Sequence, residues 1–160
     1  MSNSIKIQLV LSLIFSLNLS LFAQISPKSI EIVRDGYGIP HIFAQTDAQV
    51  AYGLAWAHAE DDFKTIQQSY LAGNFLLSKH IGKKGIPADF LSQFIRSEEL
   101  VNLQYEKETS PEYKKILEAY SDGMNSYAEK HPEEVLYKEL FPVTPKKMMR
   151  YGQLQLFISS

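Results

Sequence analysis

The densest group of side chains able to do chemistry is His58, Glu60, Asp61 and Asp62. On a helix, His58 stands i,i+3 from Asp61 and i,i+4 from Asp62, the spacings that bring side chains to one face. A histidine facing two carboxylates can bind a metal ion or act as a general acid/base pair. The same residues can instead serve structure, capping neighbouring elements or pairing with Arg34, Lys64 or Arg96. The structural reading is preferred, because zinc ordinarily takes three protein ligands and no further His is close in sequence. His41, after Pro40, has no identifiable partner and reads as a hydrogen-bonding structural residue rather than a base. His80 and His131 adjoin turn residues and receive no role.

Other chemistries are excluded by composition and pattern. With no Cys, the chain has no disulfide, no thiol nucleophile and no Cys-based zinc site. The G-x-S-x-G, S-x-x-K and H-E-x-x-H patterns are all missing. Gly82, Gly85, Lys79, Lys83 and Lys84 hint at a phosphate cradle, but their spacing departs from G-x-x-x-x-G-K-[ST] and no strand leads into them. The segment from Phe75 to Pro87 is therefore expected to be a solvated, turn-rich connection. Tyr113, Tyr120 and Tyr127, with Phe90 and Phe94, recur at helical spacing and are expected to be core rather than a base-stacking platform. On residues alone no catalytic, cofactor-binding or metal residue is assigned.

The 160 residues are 45% hydrophobic and carry 16 basic and 18 acidic side chains, a formal net charge of −2. That is the composition of a folded chain, not of a disordered one or a polybasic nucleic-acid arm. The length allows one domain at most. Residues 1–23 read as a secretory leader: Lys6, an apolar run from Leu9 to Phe22 too short to span a bilayer, and Ala23 at the cleavage point. The mature chain then begins at Gln24 and is periplasmic or secreted, with no membrane contact after cleavage.

The elements that must position these residues follow from pattern. Ile30–Arg34 and Ile39–Ala44 read as a hairpin around Gly36 and Gly38, with Pro40 at a strand start or edge. Thr46 with Gln49 forms a capping box that opens one long helix from about Asp47 to Leu71, with Val50, Leu54, Ala57, Ile66 and Tyr70 at helical spacing and a stop near Gly73-Asn74. A second helix carries Phe90, Leu91, Phe94, Ile95 and Val101 on its apolar face. A third opens at Ser110-Pro111, buries Ile116, Leu117, Tyr120, Met124, Tyr127 and Ala128, and ends at His131-Pro132. A fourth begins at Thr144-Pro145 with Met148, Tyr151, Leu154 and Phe157. The sequence stops inside that pattern, so residues 24–160 are expected to be a partial domain with an incomplete core.

Three segments carry a family resemblance. Arg34-Asp35-Gly36-Tyr37-Gly38-Ile39-Pro40-His41-Ile42-Phe43-Ala44, then Thr46-Asp47, and then Tyr52-Gly53-Leu54-Ala55-Trp56-Ala57-His58-Ala59-Glu60-Asp61-Asp62-Phe63 resemble the start of the penicillin acylase family of N-terminal-nucleophile amidohydrolases. Tyr120–Tyr127 and Phe141–Pro145 extend the resemblance along almost the whole mature chain. Ala59–Phe63 looks more like the lactone and lipopeptide acylase branch than the penicillin branch.

The resemblance implies an α+β chain, an N-terminal hairpin followed by helices, that forms part of a four-layer αββα hydrolase. It implies a precursor that cuts itself into an α chain and a β chain, with the Ser freed at the β-chain N-terminus attacking an amide while its own α-amino group takes the proton. An N-acylated small molecule is the expected substrate, the β chain the expected partner, and nucleic acid is not expected. Gln24 has no hydroxyl, so the nucleophile is expected beyond Ser160, as are the oxyanion Asn and the Glu that binds calcium in some members. No cofactor is expected in this chain. Two alternatives remain at this point: a non-catalytic helical interaction or binding protein or decayed gene fragment, and a metal enzyme built on His58, Asp61 and Asp62.

Overall fold

The computed structural model describes residues 25–160, so the leader expected over residues 1–23 lies outside the described residues. Strands β1 (Glu31–Arg34) and β2 (Pro40–Phe43) form an antiparallel hairpin in which Arg34 pairs with Pro40 and Glu31 with Phe43. Pro40 takes the first position of its strand, where a missing N–H is tolerated. Asp35 builds the turn: its Oδ1 accepts the amides of Tyr37 at 2.8 Å and Ile39 at 3.0 Å. Gly38 sits at φ 82°, a conformation that glycine adopts without a Cβ penalty.

Six α-helices follow: α1 (Asp47–Gly73), α2 (Leu77–Ile81), α3 (Ile86–Phe94), α4 (Ser97–Lys107), α5 (Pro111–Lys130) and α6 (Pro145–Ser159). The Thr46 hydroxyl caps α1 through the Gln49 amide. The other arm of the expected capping box is displaced, because the Gln49 side chain accepts from the Gln45 amide instead. Ser110 and Thr144 cap α5 and α6 as expected, each followed by proline.

Helix α1 is not the uninterrupted rod that its periodicity suggests. Asp62 leaves helical geometry at φ −159° and ψ 69°, and its Oδ1 accepts the Thr65 amide at 3.1 Å. A residue expected to work at a site is therefore an internal N-cap that restarts the helix after a kink. The expected stripe is buried at Ala57 and Tyr70 but not at Val50, which is exposed, and Ala51, Tyr52, Ala55 and Ala59 are buried as well.

The main core lies where α1 meets α5, with Phe63, Leu71, Met124 and Tyr127 joined by Leu140, Val143 and Met148. Phe63 meets Tyr127 edge-on at 5.1 Å between ring centroids. Small residues set the spacing of the helices. A Cβ on Gly123 would collide with the carbonyl oxygen of Tyr52, and one on Gly53 would come within 2.9 Å of Ile30 and Ile42. Gly123 thus lets α5 reach α1, and Gly53 lets the hairpin lie on α1.

Three expectations in the middle of the chain are corrected. The segment from Phe75 to Pro87 contains α2 rather than only turns, because Asp89 on α3 caps it, accepting the amides of Leu77 at 3.0 Å and Ser78 at 2.8 Å. The expected second helix is two, since Arg96 at φ 53° separates α3 from α4. Phe90, Phe94 and Tyr113 are exposed, not core, as is Phe157 on α6. In α3 the inward side is taken by Asp89 and Ser92, whose hydroxyl donates to the Ala72 carbonyl at 2.9 Å.

Candidate functional site

The structure disperses the polar cluster of α1. Arg34 crosses from β1 to that helix and pairs with Glu60 at 3.0 Å and Asp61 at 2.8 Å. These hydrogen bonds hold the Arg34 guanidinium above its ordinary pKa, Glu60 contributing most. Glu60 also accepts from the Trp56 indole at 2.8 Å. His58 is turned the other way, its Nδ1 lying 2.9 Å from the Tyr120 hydroxyl on α5. Asp62 caps Thr65, and its hydrogen bonds from that residue keep its carboxyl below the usual range. The metal reading of His58, Asp61 and Asp62 fails because the three side chains face different partners. The structural reading, including the pairing with Arg34, is the one observed; among the described residues Lys64 and Arg96 form no ion pair with the cluster, although the charge of Lys64 helps lower the Asp62 carboxyl.

His41 does have a partner: its Nε2 lies 3.3 Å from Asp35, the residue that organises the turn. His80 and His131 are also engaged, although sequence gave them no role. His80 meets Glu139 at 2.7 Å, and with Lys79 it lowers the Glu139 pKa to about 2, the lysine contributing most. His131 stacks on Tyr127, and its ring nitrogen lies within 4.8 Å of carboxylate oxygens of Glu133 and Glu134. Burial first, then Glu134, raises the Tyr127 phenol to about 12.

A cleft of about 620 Å³ lies beside the α1–α5 contact. Ile25 and Tyr52 line one side and Asp122, Asn125, Ser126 and Glu129 the other. Those four α5 residues follow the i, i+3, i+4, i+7 spacing of one helix face, a polar counterpart to the buried stripe on the same helix. The spacing is legible in the sequence, beside the apolar residues that form the buried face of the same helix. Asn125 is committed to the backbone, accepting the Val143 amide at 2.7 Å and donating to the Val143 carbonyl at 2.9 Å. Burial, followed by the charge of Glu118, pushes the Asp122 carboxyl above its ordinary pKa.

Among the described residues, no Ser or Thr hydroxyl is hydrogen-bonded to a His or Lys side chain. A side-chain base within reach is one way to activate a hydroxyl nucleophile.

Residues 29–155 match the family model described as penicillin amidase. The chain belongs to the penicillin amidase family. It is 29% identical to penicillin G acylase of Escherichia coli, an alignment that covers 93% of this chain and 18% of that protein. It is 26% identical to acyl-homoserine lactone acylase PvdQ of Pseudomonas fluorescens, over 69% of this chain and 16% of that protein. The chain thus spans less than a fifth of the length of these relatives. The solved thermostable penicillin G acylase of Alcaligenes faecalis shares the fold, with a TM-score of 0.64 at 23% identity over 82% of this chain and 75% of that one. The hairpin and helices of this penicillin amidase family chain match that structure as an architecture.

Within this family member the resemblance motifs acquire structural meanings. The run from Arg34 to His41 is the hairpin turn with its clamp. The run from Tyr52 to Phe63 supplies the helix that the clamp grips, and Tyr120–Tyr127 supplies Gly123 and the cleft-facing residues.

Proposed function

We propose that this chain is the scaffold portion of a secreted acylase that hydrolyses the linear amide of N-acyl compounds, such as acyl-homoserine lactones, lipopeptides or β-lactam side chains. The observation that carries the proposal is the penicillin amidase match across residues 29–155, supported by relatives named for the first and last of these activities. The attacking Ser belongs to a partner segment, the β chain of the same precursor. Its free α-amino group, with an ordinary pKa near 8, takes the hydroxyl proton at neutral pH, and N–H donors hold the oxyanion.

This chain contributes the frame. A two-stranded hairpin is marginal alone and gains stability by joining a larger sheet. Its exposed apolar residues Val33, Ile39 and Phe43 are available for such a partner.

The test is an assay of the purified chain alone, and again after co-expression with the β chain of a related acylase, against an acyl-homoserine lactone and a chromogenic phenylacetyl amide. The expected result is no turnover alone and turnover in the complex. Hydrolysis by the chain alone would refute the division of labour, and failure of an assembled complex on both substrates would refute the acylase reading.

A further inference from the structure

Just past the end of α5 the chain gathers three metal-binding side chains that the acylase reading does not use. The helix ends at Lys130; His131 follows, and Glu133 and Glu134 stand in the short turn Pro132–Glu134. The His131 Nδ1 lies 3.7 Å from Glu133 Oε1 and 3.8 Å from Glu134 Oε1, and one donor atom from each of the three residues lies within 4.8 Å of the others. Among the described residues no other group of three such side chains comes this close. Two ligand atoms of a tetrahedral zinc ion, each about 2.1 Å from the metal, stand about 3.4 Å apart. Small rotations of these partly exposed side chains therefore close all three donors around one ion.

Charge sets this group apart from the other histidine–carboxylate pairs. Glu133 and Glu134 pair with no Lys or Arg among the described residues, so a single imidazole faces two carboxylates. At His80 the Glu139 carboxylate already has Lys79, and at His41 Asp35 is committed to two turn amides. Burial comes first in raising the Tyr127 phenol, and the charges of Glu134, Glu60 and Glu133 raise it further, which marks the surroundings as negative.

The donors are also held from behind. The His131 ring stacks on Tyr127 at 4.3 Å between centroids and meets Trp56 edge-on at 6.1 Å. The Tyr127 hydroxyl donates to Glu134 Oε2 at 3.2 Å, and the Glu134 amide donates to the His131 carbonyl at 3.0 Å. Outer partners of this kind orient a ligating ring and carboxylate.

We propose that His131, Glu133 and Glu134 bind a divalent transition-metal ion of the zinc or nickel class through one imidazole nitrogen and two carboxylate oxygens. An imidazole donor suits these ions, whereas calcium and magnesium take oxygen ligands. Water completes the coordination, since the side chains reach solvent. The ion staples the end of α5 to the connection toward α6, the stretch that Gln67 of α1 also holds through the Glu134 carbonyl. It takes no part in amide hydrolysis, and the proposal stands apart from the acylase reading.

Trp56 is the only tryptophan of the chain and its ring adjoins His131, so it reports on the site. Nickel(II) chloride is titrated into the purified chain, carrying no polyhistidine tag, while Trp56 emission is followed; a paramagnetic ion beside the ring quenches it. Saturable quenching is expected, reversed by a chelator and competed by zinc chloride, with calcium chloride ineffective. Melting temperature is expected to rise with zinc chloride, because an ion that binds the folded chain stabilises it. Tyr127→Phe keeps the ring stack and loses the hydroxyl, and is expected to weaken nickel binding about tenfold, as loss of an orienting partner does. Glu133→Gln changes an exposed side chain and is expected to weaken it by more than about tenfold, since a ligand itself is lost. His131→Ala is expected to remove the saturable phase. Absence of saturable quenching in wild type, with no effect of zinc on melting, would overturn the proposal and leave the two ion pairs of His131 as the whole account. Equal affinity in wild type, Glu133→Gln and His131→Ala, with melting curves showing all three folded, would put the ion elsewhere and overturn it as well.

Discussion

Arg34 on β1 and Asp61 on α1 are 27 positions apart in the sequence and 2.8 Å apart in the structure, and this ion pair with its Glu60 neighbour fastens the hairpin to the helix. The hydrophobic half of the same contact is Ile30 and Ile42 lying over Gly53. Apart from Ile30, both halves come from segments that carry the family resemblance. Their shared job is to fix the angle at which the strands leave the helical body.

Replacing Arg34 by Ala therefore loosens the hairpin more than it destabilises the whole. An exposed ion pair contributes little to global stability. The expected outcome is faster amide hydrogen exchange at Val33 and His41, the hydrogen-bonded pair of the hairpin, with exchange in the α1–α5 core unchanged. Equal protection of the hairpin in the variant would show that Gly53 packing alone holds it.

Two glycine substitutions should differ in sign. Gly123→Ala puts a methyl into the Tyr52 carbonyl and is expected to cost about 1–3 kcal/mol, the overpacking penalty exceeding the helix-propensity gain of about 1 kcal/mol. Gly152→Ala on α6 meets nothing within 4 Å and should stabilise by up to about 1 kcal/mol. Urea denaturation of the two variants beside wild type checks the contrast.

Gln67 is fully buried on α1 and ties that helix to the α5–α6 connection. Its Nε2 donates to the Glu134 carbonyl at 3.0 Å and its Oε1 accepts the Leu136 amide at 2.9 Å. Gln67→Met keeps the volume and abandons both backbone groups, so a loss of about 1–3 kcal/mol is expected by thermal or chemical denaturation. A neutral result would mean that water takes over both bonds.

Acid should act partly through Glu139. Lys79 and His80 lower its folded pKa to about 2 against an ordinary value of 4.5. A carboxylate depressed on folding contributes stability that is fully present above the unfolded pKa and lost as pH falls toward the folded one. Melting temperature should therefore decline between pH 4.5 and pH 2 more steeply in wild type than in Glu139→Gln. Parallel curves for the two proteins would show that this cluster adds nothing.

Much of the local structure was legible in order along the chain. The hairpin, the Ser110 and Thr144 caps and the α5 stripe all depend on spacings of a few residues, and short-range geometry dictates them. The same logic failed at Phe90 and Phe94, where helical spacing was right and burial was not. Which side of α3 turns inward is decided by Asp89 capping α2 and Ser92 reaching Ala72, contacts that span 11 to 20 positions. Periodicity announces a face without saying what will cover it.

The sequence by itself determined the elements, the missing thiol and triad chemistry, and the family resemblance, since these depend on residue type and near-neighbour order. Only the tertiary structure decided what His58, Glu60, Asp61 and Asp62 do. One α-helical run broke at Asp62, sent His58 to Tyr120, and left Glu60 and Asp61 to Arg34. Likewise the cleft along α5 exists because Gly123 brings two helices close and the N-terminal segment borders the gap beside them. Charged side chains take their roles from whichever distant partner packing delivers, and such partners are not encoded in local spacing.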